Sequence, residues 1–220
     1  MLLLLKANRI EVKNLWCLIA LCCLSPIATD SRAQTTNPHS ITNPALRNEL
    51  LRMVEEDRAI RDALIKKGID HPDKELLARM ESIDKANTAR MKVIIQQYGW
   101  PSHELVGKDG TDAAFLIIQH ADYAFQKKML PRVKKAYQAK ELSGQDYALL
   151  LDRVLVAEGK PQVYGTQAMP ISEWKNKEPL LRPIEDEANV DKRRAEVGLM
   201  PLSEYRKFLK EMYFPESKNK

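Results

Sequence analysis

The sequence predicts an all-α protein, mainly a helical bundle, with a small irregular or β-hairpin segment around residues 160–185. Apolar residues recur at helical spacing in successive segments, and helix-capping residues delimit those segments. The 220 residues are 44% hydrophobic and 30% charged, a composition that excludes collagen-like, low-complexity and multi-span membrane proteins. One domain is predicted over residues 44–214, after a flexible leader at 34–43 and before a frayed tail at 215–220.

The first two helices are delimited by clear start and stop residues. Asn43 as N-cap and Pro44 at the first helical position begin a helix that ends at Gly68. A second helix is predicted from about Asp73 to Tyr98, where Gly99 follows as its stop. Because the connection between them is short, these helices should pack antiparallel.

The helices that follow are less sharply bounded. Residues 100–110 are predicted to form a loop with one possible helical turn after Ser102, and a strongly apolar third helix begins at Thr111 or Asp112. A fourth helix is predicted over 123–140, although Pro131 should bend it or mark its start. The remaining helices are predicted over residues 143–159, 189–197 and 203–213.

The segment after Gly159 contains a distinctive polar string, Gln-Val-Tyr-Gly-Thr-Gln. In an extended conformation, Gln162, Tyr164 and Thr166 face one way and offer amide, phenol and hydroxyl groups together. With Gln167 they are predicted ligand-binding residues, since such neutral groups suit sugars, amides or carboxylates. An equally weighted alternative is a hydrogen-bonded loop that plugs the helix bundle.

The first 33 residues have the pattern of a secretory signal peptide, with a basic start, the uncharged run Leu15–Leu24 and a short polar region. A membrane-spanning helix needs about 20 apolar residues, so this run is too short for an anchor. Cleavage is predicted after Ala33, which would place the mature protein in the periplasm or outside the cell. Lipidation at Cys22 or Cys23 is an alternative that the bulky Leu21 disfavours.

Removal of this signal peptide would change both the thiol content and the charge of the chain. All three cysteines lie before residue 24, so the mature domain would contain no thiol. Cleavage would also remove four basic and two acidic side chains and lower the net charge from +5 to +3. Mixed charges on a mildly basic surface predict no nucleic-acid partner, and no membrane partner is expected after cleavage. The oligomeric state is left open.

Two helices carry polar residues where their apolar stripes predict core. Asp57 lies on or beside the apolar face of the first helix, and Asp84, Asn87 and Arg90 lie near that of the second. A buried carboxylate is costly unless it is paired, so Asp57 requires a partner, either Arg58 or Arg61 on the same helix or Arg90 across the interface with the second helix. Such a network either fixes the helix register or lines a ligand site, and both interpretations stay open.

His120 ends the most hydrophobic helix within the string Gln-His-Ala-Asp. It is a candidate general base, with Asp122, Asp57 or Asp84 as its carboxylate partner. A satisfied core histidine and a helix-capping Asp122 are the alternatives. The mature chain has no cysteine, and its histidines show no metal-ligand spacing, so neither a metal nor a cofactor is predicted.

The Gln119–Asp122 and Tyr164–Gln167 strings resemble those of a bacterial family of uncharacterised proteins. The resemblance spans roughly Leu50 to Tyr205. It also rests on several shorter strings: Trp100-Pro101-Ser102, Leu105-Val106-Gly107, Ala113-Ala114, Gln126, Asp152-Arg153, Gln162, Pro183-Ile184, Val190-Asp191, Arg193-Arg194, Gly198-Leu199, Pro201-Leu202 and Tyr205. It implies that these positions belong to one domain, which favours a shared polar site, and it implies no particular activity.

Three functions remain open from the sequence. The first is an exported domain that binds a small polar or anionic ligand through inward-facing residues, which include Arg90 and Gln119, and through the Tyr164 loop. The second is a metal-independent hydrolase or lyase that uses His120 as its general base. The third is a structural or interaction protein of the envelope. There is no Gly-rich phosphate loop, nucleophile elbow or cysteine nucleophile, which sets those enzyme classes aside.

Overall fold

The computed structural model describes residues 41–67 and 73–214, and within them the chain is all-α, as predicted. The proposed signal peptide, most of the leader and the tail lie outside the described residues. Seven α-helices form in this part of the chain: α1 (Pro44–Lys67), α2 (Lys74–Tyr98), α3 (His103–His120), α4 (Tyr123–Gln138), α5 (Gly144–Ala157), α6 (Val190–Glu196) and α7 (Leu202–Tyr213). None of them combines the length and the apolar character that a membrane crossing requires.

Helices α1 to α5 enclose the main core. Contacts between α1 and α3 are the most extensive, and α5 packs on α4. The centre consists of large apolar side chains that are almost fully buried: Leu50, Met91, Ile94, Ile118, Met129 and Leu150. Each contributes roughly 1.5–3 kcal/mol by leaving water. The pairs Arg61–Asp84 and Glu49–Arg90 run in opposite order along α1 and α2, so these helices are antiparallel.

The prediction of a loop over residues 100–110 is wrong. Helix α3 already begins at His103, with Ser102 as its N-cap, and it continues to His120. Gly107 interrupts it with φ 73° and ψ 169°, a left-handed backbone that glycine adopts without strain. Two helical pieces therefore follow one another directly, where the sequence predicted a loop with one helical turn.

The segment between α5 and α6 is irregular and contains no hairpin. Its elements are three short 3-10 turns, at Ile171–Glu173, Lys175–Lys177 and Glu187–Asn189, and two isolated bridges, Gln162 with Ile184 and Ala168 with Leu181. A second small core holds it against α6 and α7. That core is formed by Trp174, Leu181, Val190, Leu202, Tyr205 and Leu209.

Candidate functional site

Four ionisable side chains from three helices meet inside the bundle, and we call them the polar cluster: Asp57, Arg61, Asp84 and His120. Arg61 Nη2 donates hydrogen bonds to Asp57 Oδ1 at 2.9 Å and to Asp84 Oδ1 at 2.6 Å. His120 Nδ1 lies 2.9 Å from Asp57 Oδ2. Arg61 therefore links the two carboxylates, and Asp57 links Arg61 to His120.

The local sequence explains how the cluster forms. Asp57 and Arg61 are four residues apart and face inward from the same side of α1. Asp84 approaches from α2, and His120 is the last residue of α3. The side chains of Asp57, Arg61 and His120 are 1–3% exposed, whereas that of Asp84 is 16% exposed. Of these four residues, Asp84 is the one nearest to solvent.

The shared environment shifts the pKa values of the two carboxyls in opposite directions. Burial opposes ionisation of Asp57, but the hydrogen bonds and charges of His120 and Arg61 outweigh it and lower its pKa to about 2. Burial raises the pKa of Asp84 to about 7, against the opposing charge of Arg61. Burial and the positive charge of Arg61 lower the pKa of His120 to about 4. At neutral pH, Asp57 is ionised, His120 is neutral and Asp84 titrates.

The polar cluster has the donor atoms of a metal site but already contains a cation. Asp57, Asp84 and His120 each offer one ligand atom, and these atoms lie within 4.8 Å of one another. The guanidinium of Arg61 bonds both carboxylates from between them. A metal ion bound there would have to displace this group, which is costly in a buried site. The prediction of a metal-free site stays a prediction.

Gln119 lies beside the polar cluster and links it to α5. The side-chain amide of Gln119 is oriented so that both its oxygen and its nitrogen are satisfied. In this orientation the oxygen accepts hydrogen bonds from Arg153 Nε at 3.1 Å and Nη2 at 3.3 Å. Its backbone carbonyl accepts from Gln126 Nε2 at 2.8 Å. Two proposed site residues, Gln119 and His120, are therefore adjacent and buried.

Asp122 and Arg90 lie apart from these contacts. Asp122 caps α4 by accepting a hydrogen bond from the Phe125 N–H at 2.8 Å, and it is exposed. Arg90 forms a two-pronged ion pair with Glu49 on the flank of α1. The carboxylate that bonds His120 is thus Asp57.

The polar string at 162–167 is organised around a second buried carboxylate, Asp152 of α5. Asp152 is 0% exposed and accepts hydrogen bonds from the backbone N–H groups of Val163 at 2.7 Å, Tyr164 at 3.1 Å and Thr166 at 3.0 Å. The Thr166 hydroxyl donates a further bond at 3.0 Å. Burial raises the pKa of Asp152, although these donors favour its ionised form.

The side chains of this string bond mainly to the protein itself. Gln162 donates to the carbonyls of Gln167 and Arg182, and it accepts from the Gln167 N–H at 2.8 Å. Gln167 donates to the Thr166 hydroxyl at 3.0 Å. Tyr164 is half-buried, and burial raises its pKa to about 12. These bonds are those expected of an ordered loop, and ligand binding by the string stays a prediction.

Several residues of the polar cluster and of the hydrogen bonds around Asp152 are difficult to identify as site residues from the sequence. Arg61 stood out only as a local partner for Asp57, and its contact with Asp84 joins two helices. Arg194 is 1% exposed and donates to the carbonyls of Tyr164 and Met200, each at 2.6 Å. Asp152 bonds backbone groups, which every residue possesses, so no spacing in the sequence identifies its partners.

Comparison with known proteins identifies a family without a known activity. No curated protein and no solved structure is detectably similar to the chain. A family model described as DUF6624, a family of unknown function, matches residues 44–218, which is most of the chain and all of α1 to α7. The status of the Gln-His-Ala-Asp and Tyr-Gly-Thr-Gln strings as family signatures stays a prediction. The chain belongs to the DUF6624 family of unknown function.

Proposed function

We propose that the protein is a domain that binds a small polar ligand at the polar cluster. The observation that carries the proposal is the convergence of Asp57, Arg61, Asp84 and His120 from three helices. Desolvated ionisable groups are costly, and they occur more often at functional sites than elsewhere. Asp84 is the group that a ligand would meet first, because it is the most exposed member of the cluster.

A second candidate is a metal-independent hydrolase or lyase with His120 as its general base. It is supported by the 2.9 Å contact between His120 Nδ1 and Asp57 Oδ2, since a carboxylate at Nδ1 orients an imidazole and fixes its tautomer. A pKa of about 4 keeps His120 neutral and able to accept a proton at pH 7. Asp57 would be the orienting carboxylate, and Asp84 would be a proton donor because its pKa is near 7.

A third candidate, a structural or interaction protein of the envelope, is supported by the loop at 162–167. Its amide side chains are bonded to the protein's own carbonyls and to each other. The first two candidates therefore rest on the polar cluster, and the third rests on this loop.

A small-molecule screen by thermal shift, repeated on Asp84→Asn, tests the proposal. We expect at least one polar compound to stabilise the wild type and to lose most of that effect in Asp84→Asn. Asp109→Asn is the matched control, because it removes one carboxylate from the exposed Arg47–Asp109 pair. Equal stabilisation of all three proteins would contradict the proposal. A compound that is converted by the wild type, but bound without conversion by His120→Asn, would establish the second candidate.

We also propose that the protein is exported, on the basis of the signal-peptide pattern in residues 1–33. The expected N-terminus of the protein recovered from the native envelope or medium is Gln34. N-terminal sequencing checks this directly. A protein that retains Met1 and stays in the cytoplasm would contradict export, and a mature chain beginning at Cys22 or Cys23 would indicate lipidation.

A further inference from the structure

Helix α4 carries a surface on which every charged side chain is basic. Its five exposed cations, which we call the basic face, are Lys127, Lys128, Arg132, Lys134 and Lys135, and the helix contains no acidic residue. The net charge of the 220-residue chain is +5, so α4 alone accounts for all of it. Positive and negative charges therefore balance in the remainder of the sequence but not on this helix.

The other side of α4 is held in the main core. Phe125, Met129 and Val133 are buried there with side chains of the other helices. At about 100° per residue, the five cations lie on an arc of about 160° outside this buried side. From Lys127 to Lys135 they span about 12 Å along the helix axis. Because the Debye length at physiological salt is roughly 8–10 Å, the fields of neighbouring cations overlap and reinforce one another.

Most of the basic face has no acidic partner in the part of the chain that the structure describes. Lys127 pairs with Glu158 of α5 at 2.7 Å, and no carboxylate among the described residues pairs with the other four members. Lys128 and Arg132 are four residues apart, and Arg132 and Lys135 are three apart, so like charges are neighbours on the helix surface. Such neighbours repel each other and weaken a helix. An external anionic surface would relieve that repulsion.

We propose that the basic face binds the anionic headgroup surface of a lipid bilayer, with the axis of α4 along that surface. Clusters of about four to eight basic residues on one helix are typical of such contacts, because each cation near the bilayer adds to the attraction. The contact is peripheral and needs no spanning helix, since the apolar side of α4 already lies in the core. The expectation of no membrane partner rested on the mixed charges of the chain as a whole, a property that α4 does not share.

The arrangement of the charges favours a lipid surface over other anions. A site for a small anion needs donors that converge in a concavity, whereas these cations are spread over a convex helix. Tyr123 is 40% exposed at the start of α4, beside Lys127, and adds a ring of the amphipathic type that is enriched at membrane interfaces. Nucleic acid is the other extended polyanion, and the proposed export would separate the protein from it. The choice of partner therefore rests on the proposed export and not on the polar cluster.

Co-sedimentation with lipid vesicles tests the proposal. The full chain is mixed with vesicles of phosphatidylglycerol and phosphatidylcholine, and separately with vesicles of phosphatidylcholine alone. We expect binding to the anionic vesicles to be at least about tenfold tighter, and this preference to disappear when the salt concentration rises from about 0.05 M to about 0.5 M. Equal binding to both kinds of vesicle, or an anionic preference that high salt does not weaken, would contradict the proposal.

Two double variants locate the contact on α4. Lys128→Gln with Lys135→Gln should weaken binding to the anionic vesicles about 25-fold, since each lost cation should cost about a factor of five. The matched control is Lys74→Gln with Lys192→Gln, which removes two exposed lysines from α2 and α6 and has the same net charge. This control should bind like the wild type. All four lysines are exposed, so both variants should keep the circular dichroism of the wild type. Equal losses of binding in the two variants would assign the attraction to net charge and overturn the role of α4.

Two comparisons separate this contact from other causes of binding. Residues 1–33 are common to all variants, so vesicle binding through the uncharged run at 15–24 would persist in the α4 variant and would occur with neutral vesicles too. A short DNA duplex should bind more weakly than the anionic vesicles at equal salt and phosphate concentrations, because a convex duplex brings fewer phosphates near α4 than a flat surface does. Tighter binding of the duplex, lost in the α4 variant, would assign the basic face to nucleic acid and overturn the proposal. N-terminal sequencing would still decide export separately.

Discussion

Replacement of Arg61 with methionine should lower the free energy of unfolding by about 3–5 kcal/mol at pH 8, and by clearly less at pH 5. Arg61 bonds both Asp57 and Asp84, so its removal leaves two buried carboxyls without the cation that links them. Methionine keeps an unbranched aliphatic stem beside Met80. The expected loss is therefore electrostatic rather than a loss of packing.

The pH dependence follows from Asp84, whose pKa in the folded protein is already raised to about 7. Loss of Arg61 should raise it further, because Arg61 favours the ionised form. A carboxyl with a raised folded pKa holds its proton more tightly in the native state than in the unfolded chain. Its contribution to stability is present at low pH and is lost as the pH rises through the folded pKa. The variant should therefore be weakest at pH 8.

Urea unfolding of the wild type and of Arg61→Met at the two pH values measures both effects. Arg47→Met is a suitable control, since it breaks the exposed Arg47–Asp109 ion pair. That variant should lose little stability, and equally at both pH values. If Arg61→Met loses the same free energy at pH 5 as at pH 8, the two carboxylates are not coupled through Arg61.

The helix boundaries that local chemistry determines were predictable. Asn43 caps α1 with a 3.0 Å bond to the Leu46 N–H, Asp73 caps α2, and Ser143 and Asp146 form a capping box at α5. The start of helix α3 was not predictable, because Gly107 breaks the helix locally without ending it. The positive φ of that residue is compatible with a loop or with two helical pieces in succession, and packing onto α1 decides between them.

The candidate site was only partly predictable, because its pairings depend on how the helices meet. Asp57 and Asp84 stand out as charges near an apolar stripe, and both lie in the polar cluster. Arg90 has the same type of position, yet it pairs with Glu49 on the flank of the helix pair. At about 100° per residue, Asp84 and Arg90 are about 120° apart around α2 and lie on opposite sides of the centre of its buried stripe. Helical spacing alone does not show which of the two sides faces the partner charges of α1.

Replacement of Asp152 with alanine should lower the free energy of unfolding by at least about 3 kcal/mol and should release the loop at 162–167 from α5. The carboxylate accepts hydrogen bonds from three backbone N–H groups and one hydroxyl. Each buried donor that loses its acceptor costs about 1–3 kcal/mol unless water reaches it. The donors are backbone N–H groups, so they remain in Asp152→Ala and lose their acceptor.

In Asp152→Ala the loop at 162–167 should open before the helices unfold. This order would show that Asp152 anchors the loop, whereas loss of a general core residue would weaken the whole bundle. Hydrogen exchange at Val163, Tyr164 and Thr166 should accelerate at least tenfold in Asp152→Ala, while α1 to α3 keep their protection until global unfolding. Thr166→Val is the graded control: it removes the hydroxyl's bond to the carboxylate and the bond that the hydroxyl accepts from Gln167, but it keeps the backbone N–H, so it should cost about 1–2 kcal/mol. Uniformly faster exchange across all helices would show that Asp152 stabilises the whole bundle rather than this loop.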